Sequence, residues 1–114
     1  MSKREIKILL DDMIEAIGKI DRYIKGMTFD DFVNDSKTVD AVVRNLEVIG
    51  EAANRIPRSF QQQHPEIEWR QIIGLRNRVI HDYFGIDYDI VWYVITKDLK
   101  KLKNKLKNIL KKAS

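Results

Sequence analysis

Apolar residues recur at spacings of three and four along most of this chain, the repeat expected of amphipathic helices. Ile6, Leu9, Leu10, Met13, Ile17, Ile20 and Ile24 form one such stripe, which predicts a first helix over about 4–25, stopped at Gly26. Thr28 followed by Asp31 resembles a capping box with aspartate in place of the usual glutamate. It predicts a short helix that sets Phe29, Phe32 and Val33 against the core. Ser36 then opens a second long helix over about 36–55, with Val39, Val42, Val43, Leu46, Ile49, Ala53 and Ile56 on its inner face. Pro57 ends it, because the residue before a proline is pushed out of α geometry. Gly50 sits inside this helix at a cost of about 1 kcal/mol relative to alanine. Either it permits a close helix contact or it is simply tolerated, and Glu51 beside it is a candidate for facing a site.

Residues 58–64 fit one or two helical turns, and His64-Pro65 breaks the pattern. Pro65 suits the start of a third long helix whose apolar positions are Trp69, Ile72, Ile73, Val79 and Ile80, closing at Phe84-Gly85. Asp87 is a good cap for a fourth, running to about residue 112 through Val91, Trp92, Ile95, Leu99, Leu102, Leu106, Ile109 and Leu110. Its charged end is expected to fray beyond Leu110. No strand pattern competes. The expected fold is an all-α antiparallel bundle of four long helices plus short ones. Residues 1–114 are expected to form one domain, with dimerisation a common way for so thin a bundle to complete its core.

Composition narrows the chemistry. The 114 residues contain no cysteine, so disulfides, thiolate metal sites and cysteine nucleophiles are excluded. The opening MSKREIK is not followed by a signal-like apolar run, and nothing approaches the roughly 18 apolar residues of a membrane span, so a cytoplasmic protein is expected. The net charge of +4 is unevenly placed: between Lys97 and Lys112 stand eight lysines and one aspartate, while residues 1–96 are net negative. Such a lysine stripe suits phosphate contacts, and equally suits a helix dipole and a solvated surface.

The densest polar cluster is Arg76-Asn77-Arg78-Val79-Ile80-His81-Asp82-Tyr83. On a continuous helix Arg76 and Tyr83, like Asn77 and His81, would share a face, whereas Arg76 and His81 would diverge by about 140°. Convergence then needs a tightened or kinked helix near His81, or a second subunit. Arg76 is a permanent cation whose planar fork suits a phosphate. His81 carries an imidazole that could exchange protons with a ribose 2′-hydroxyl or a leaving 5′-oxygen, a route that needs no metal. Tyr83 could hydrogen-bond a phosphate or stack on a base, and Asn77 could orient His81. The plainer alternatives are a capping histidine, a core tyrosine, and an Arg76 ion pair with Glu51 or Asp82. His64, beside Pro65, reads as a loop residue. No metal-ligand spacing is present, and no cofactor is expected.

The arrangement of Arg76, four residues, His81, one residue and Tyr83, with Asn77 after the arginine, resembles the HEPN superfamily and its small HepT-like (DUF86) branch. Ile49-Gly50-Glu51-Ala52 and the run Pro65…Trp69…Ile73-Gly74-Leu75-Arg76-Asn77 resemble it too, so the likeness spans nearly the whole chain. The resemblance implies a homodimeric bundle whose motifs meet in a basic cleft, acting as a metal-independent endoribonuclease toxin of a toxin–antitoxin pair. Arg76 and His81 would be its catalytic pair, with Asn77, Tyr83 and Glu51 supporting or binding RNA. The implied partner is a minimal nucleotidyltransferase antitoxin of the MntA type, which would transfer AMP from ATP to Tyr83. Asp82 is an acidic departure inside an RNA cleft. Two rival expectations stand beside this one. In the first, the same bundle is a non-catalytic nucleotide- or partner-binding module that docks a nucleotidyltransferase. In the second, the lysine helix is a solvated face, the motif serves capping, and the chain is a monomer with Tyr83 buried.

Overall fold

The computed structural model describes residues 1–81 and 85–113, with the Ala113 side chain excluded. The first half follows the hydrophobic pattern closely. Helix α1, Lys3–Tyr23, starts at a capping box in which Ser2 Oγ accepts from the Glu5 N–H at 3.1 Å. Gly26 then turns the chain with φ 79°, a conformation glycine adopts without steric cost. The Thr28–Asp31 capping box is fully formed and starts α2, Phe29–Val33. Phe32 is completely buried and packs at 5.3 Å (ring centroids) from Trp92. Helix α3, Ser36–Arg55, has the predicted bounds, and its cap Asp35 accepts from the Thr38 N–H at 3.1 Å. Leu10, Met13, Ile17 and Ile20 of α1 and Val42, Leu46 and Ile49 of α3 are buried and form the centre of the core.

The second half departs from the simple helical reading. Helix α4, Arg58–Gln63, is held to the end of α3 by Gln61, whose Nε2 donates to the Ile56 carbonyl at 3.0 Å. Pro65 does not start a helix. It lies in a turn closed by Ile67 N–H on the His64 carbonyl, and the Trp69 indole N–H donates to that same carbonyl at 3.0 Å. The next helix, α5, begins only at Trp69 and ends at Ile73; after a pause at Gly74, α6 covers Leu75–Val79. Ile80 is extended (φ −114°, ψ 121°), so the third helix ends before His81 rather than at Phe84-Gly85. A two-residue ladder replaces it: β1, Ile80–His81, pairs antiparallel with β2, Gly85–Ile86, in the register Ile80 with Ile86 and His81 with Gly85. Gly85 has φ 76°, and two β-branched residues, Val79 and Ile80, sit where the helix gives way.

Asp87 caps the last helical run as predicted. That run is α7, Tyr88–Tyr93, a π-helical turn at Val94–Asp98, and α8, Leu99–Ala113. At the π turn Thr96 Oγ1 donates to the Trp92 carbonyl at 2.6 Å, and Arg78 meets Asp98 at 3.4 Å. Helix α1 packs against α3 and α8, and α3 packs against α5 and α6. The result is an all-α helical bundle with one minimal strand pair set into its motif-bearing segment. Among the described residues no helix is long and apolar enough to cross a membrane.

Candidate functional site

Close contact between α3 and α5 positions the first half of the motif. A Cβ added at Gly50 would stand 3.1 Å from the Ile72 carbonyl oxygen and 3.4 Å from that of Ile73. Gly50 therefore marks a close backbone approach. That approach brings α6 alongside α3, so that Arg76 and Asn77 share a cleft with Leu46, Glu47, Gly50, Glu51, Asn54 and Ile73. Arg76, Asn77 and Glu51 are thus brought together, and all three are exposed. Arg76 forms no ion pair among the described residues, so the structural pairing with Glu51 is not made and the guanidinium faces solvent.

His81 sits elsewhere. It lies on β1, with its side chain 46% exposed, in an open groove lined by Phe29, Val33, Ile86, Asp87, Tyr88 and Asp89. The helical-wheel angles relating it to Arg76 and Asn77 do not apply, because α6 stops at Val79. Asn77 makes no hydrogen bond to it among the described residues, and in one chain Arg76 and His81 line different clefts. Tyr83 and Asp82 lie outside the described residues.

Asp87 is the neighbour that sequence reasoning missed. It was legible only as a cap, and its Oδ1 does accept from the Ile90 N–H at 3.1 Å. Its Oδ2 also stands 3.5 Å from His81 Nε2, and its backbone N–H donates to the Val79 carbonyl at 2.8 Å. One residue therefore caps α7, bonds the end of α6 and places a carboxylate beside the histidine. The only signal that could have found it is the β1–β2 register, which the apolar pattern does not reveal.

His64 follows α4 in a loop, as expected; its ring packs 4.5 Å from Phe60 and its Nδ1 is 3.3 Å from Glu66 Oε2. None of the α8 lysines lines the Arg76 cleft or the His81 groove, and Lys103 instead pairs with Asp21 at 3.7 Å. No group of three or more acidic or histidine side chains that could hold a metal occurs among the described residues.

A small helical bundle that carries an exposed arginine, asparagine and histidine around the end of one short helix defines a class of HEPN-like domains. The chain belongs to the ribonuclease HepT-like family, matching it over residues 13–109. It is 42% identical to a Thermococcus cleftensis protein named "Probable ribonuclease HepT", over 96% of this chain and 99% of that one. A Methanocaldococcus jannaschii protein named as a putative RNase is 38% identical over 93% of this chain and 97% of its own length. A Caldanaerobacter subterraneus protein, also named as a putative RNase, is 43% identical over 78% and 80%. No solved structure matches the chain.

Proposed function

We propose that this protein is a metal-independent endoribonuclease, the toxin of a toxin–antitoxin pair, with Arg76 and His81 as its catalytic residues. The observation that carries the reading is the intact Arg76…His81-x-Tyr83 set on a chain of this family, with Arg76 and His81 exposed and Arg76 unpaired among the described residues. Arg76 would bind the non-bridging oxygens of a phosphodiester and stabilise the charge that builds on them in the pentacoordinate transition state. The ribose 2′-oxygen attacks the adjacent phosphorus and the bond to the 5′-oxygen breaks. One proton leaves the 2′-hydroxyl and one arrives on the 5′-oxygen, giving a 2′,3′-cyclic phosphate and a 5′-hydroxyl.

Two proton transfers suit two histidines, and one chain offers only His81 at the motif. A twofold dimer with the motifs facing each other supplies both, and brings the Arg76 cleft of one copy towards the His81 groove of the other. Glu51 and Asn77, on the walls of the Arg76 cleft, would orient the arginine and the bound strand. Asp87 would hold the imidazole in place, leaving Nδ1 for the substrate.

A nucleotidyltransferase antitoxin of the MntA type would neutralise the toxin. The Tyr83 phenol oxygen displaces pyrophosphate from the α-phosphorus of ATP, and the AMP ester left on it adds bulk and negative charge where RNA phosphate would bind. A non-catalytic docking module is favoured by the separation of Arg76 and His81 within one chain and by the net negative charge of residues 1–96; a dimer of the proposed kind would remove the first of these grounds.

The test is cleavage of RNA by EDTA-treated protein, with matched oligonucleotides carrying ribose or 2′-deoxyribose at the cleaved position. The expected result is cleavage of the ribose substrate alone, leaving cyclic phosphate ends. No cleavage of any RNA, or cleavage only after metal is restored, would overturn the reading.

A further inference from the structure

A cavity of about 950 Å³ lies beside the Arg76 cleft rather than in it, between the end of α3, α4 and α5. Three exposed arginines stand on it: Arg55 at the last position of α3, Arg58 at the first of α4, and Arg70 in α5. None of their guanidinium groups makes an ion pair or a hydrogen bond among the described residues. Glu68 is the only carboxylate on the lining, so the groove carries a net charge of about +2. Its base is apolar and firm. Ile56 and Trp69 are 2% and 7% exposed, and Gln61 ties α4 to the Ala53 and Ile56 carbonyls.

Asn54 and Ile73 line both this groove and the cleft holding Arg76 and Asn77, so the two adjoin. The charge across the pair is graded. Glu47 and Glu51 stand at the Arg76 end, and the three arginines stand at the other. From this adjacency and charge we infer that the groove of Arg55, Arg58 and Arg70 is a second phosphate-binding subsite, which holds the RNA strand on one side of the phosphodiester bound at Arg76. The inference rests on the ribonuclease reading for the identity of the strand. An exposed guanidinium without a partner offers its full set of donors to phosphate oxygens, and three on a rigid rim fix a backbone without reading its sequence. The apolar base leaves room for a base to lie against Pro57 and Ile73, both half-buried. The subsite therefore contributes affinity and register, while the cut is made at the motif.

The experiment measures binding of a fluorescent 2′-O-methyl RNA oligonucleotide, which lacks the attacking hydroxyl, by anisotropy over a series of salt concentrations. It compares four proteins: wild type; a variant with Arg55→Gln, Arg58→Gln and Arg70→Gln; one with lysine at the same three positions; and a charge-matched control, Lys3→Gln, Arg4→Gln and Lys7→Gln, on the first turns of α1. Each lost phosphate contact lowers the slope of log affinity against log salt by about 0.7, so the glutamine variant should lose about 2 and bind on the order of tenfold or more weakly. The lysine variant should recover most of the slope, and the α1 control should stay near wild type. A glutamine variant that binds with wild-type affinity and slope, or that is matched by the α1 control, would overturn the subsite. So would a wild-type protein that does not bind the oligonucleotide at all. Cleavage by the wild type is scored separately. Groove-dependent binding without cleavage removes the ribonuclease reading and keeps the subsite; cleavage with groove-independent binding does the reverse.

Discussion

Helices α1 and α3 and the segment from Pro65 to Asp98 are built from similar residues, yet they obey the apolar repeat to different degrees. In α1 and α3 most inward positions are buried, with Ile6, Ile14 and Val48 partly so, and the helices run 21 and 20 residues without interruption. In the later segment a helix starts late, pauses at Gly74, yields to a strand pair at Ile80 and resumes through a π turn. Continuous helices make a rigid frame; the interrupted segment presents polar groups from it. Arg76 and Asn77 lie in the short helix α6, and His81 stands just beyond its end on β1, where the helical repeat no longer sets its direction.

The largest effect expected within the frame comes from its core. Ile49→Ala, at a fully buried position of α3, should lower unfolding stability by about 2–5 kcal/mol in urea titrations. A smaller loss would mean that the α1–α3 core is less tightly packed than its burial implies. The junction between the two regions comes next. Gly50→Val forces a branched side chain against the Ile72 carbonyl and should cost about 1–3 kcal/mol. It should also shift amide chemical shifts on α5 and α6, including that of Arg76, more than those on α8. Equal disturbance of α8 would place the close approach elsewhere.

Within the interrupted segment itself effects should be modest. Asp98→Asn removes a half-exposed pair with Arg78 and should change stability by no more than about 1 kcal/mol. Acid sharpens the same contrast. The Thr38 backbone N–H bound to Asp35, joined by the Thr38 side chain, holds the Asp35 carboxyl below its ordinary value. A carboxyl depressed in the folded state stabilises above its unfolded pKa, and that stabilisation is lost as pH falls through the folded one. Melting temperature should therefore fall less steeply with acid in Asp35→Asn, which caps without titrating, than in wild type. Parallel curves would deny the cap any part in acid stability.

The difference between the regions also explains what the sequence made legible. The helical bundle, the Thr28–Asp31 capping box, the bounds of α3 and the Asp87 cap follow from spacing and side-chain chemistry that act within a few residues. The role of Gly50 was left open because the sequence does not say which backbone comes within 3.1 Å of it. The strand pair escaped notice because two residues a side are too few to show alternation, and Val79-Ile80 fits a helix stripe equally well. Pro65 is a favourable first-turn residue, yet it lies in a turn whose His64 carbonyl accepts from both the Ile67 N–H and the Trp69 indole. Motif spacing identified Arg76, Asn77 and His81 as candidates, but wheel geometry could not place His81 once the helix had ended. The arginine groove was invisible because Arg55, Arg58 and Arg70 come from three separate elements.

The central claim is that this interrupted segment is a ribonuclease site working through His81, and cleavage of total RNA in EDTA tests it most directly. Wild type is compared with His81→Ala, after mass spectrometry has confirmed that Tyr83 is unmodified and circular dichroism that both are folded. His81 is exposed and outside the core, so the variant should melt within a few degrees of wild type while losing about 10²–10⁴-fold in rate. A folded His81→Ala protein that cleaves at the wild-type rate would contradict the account.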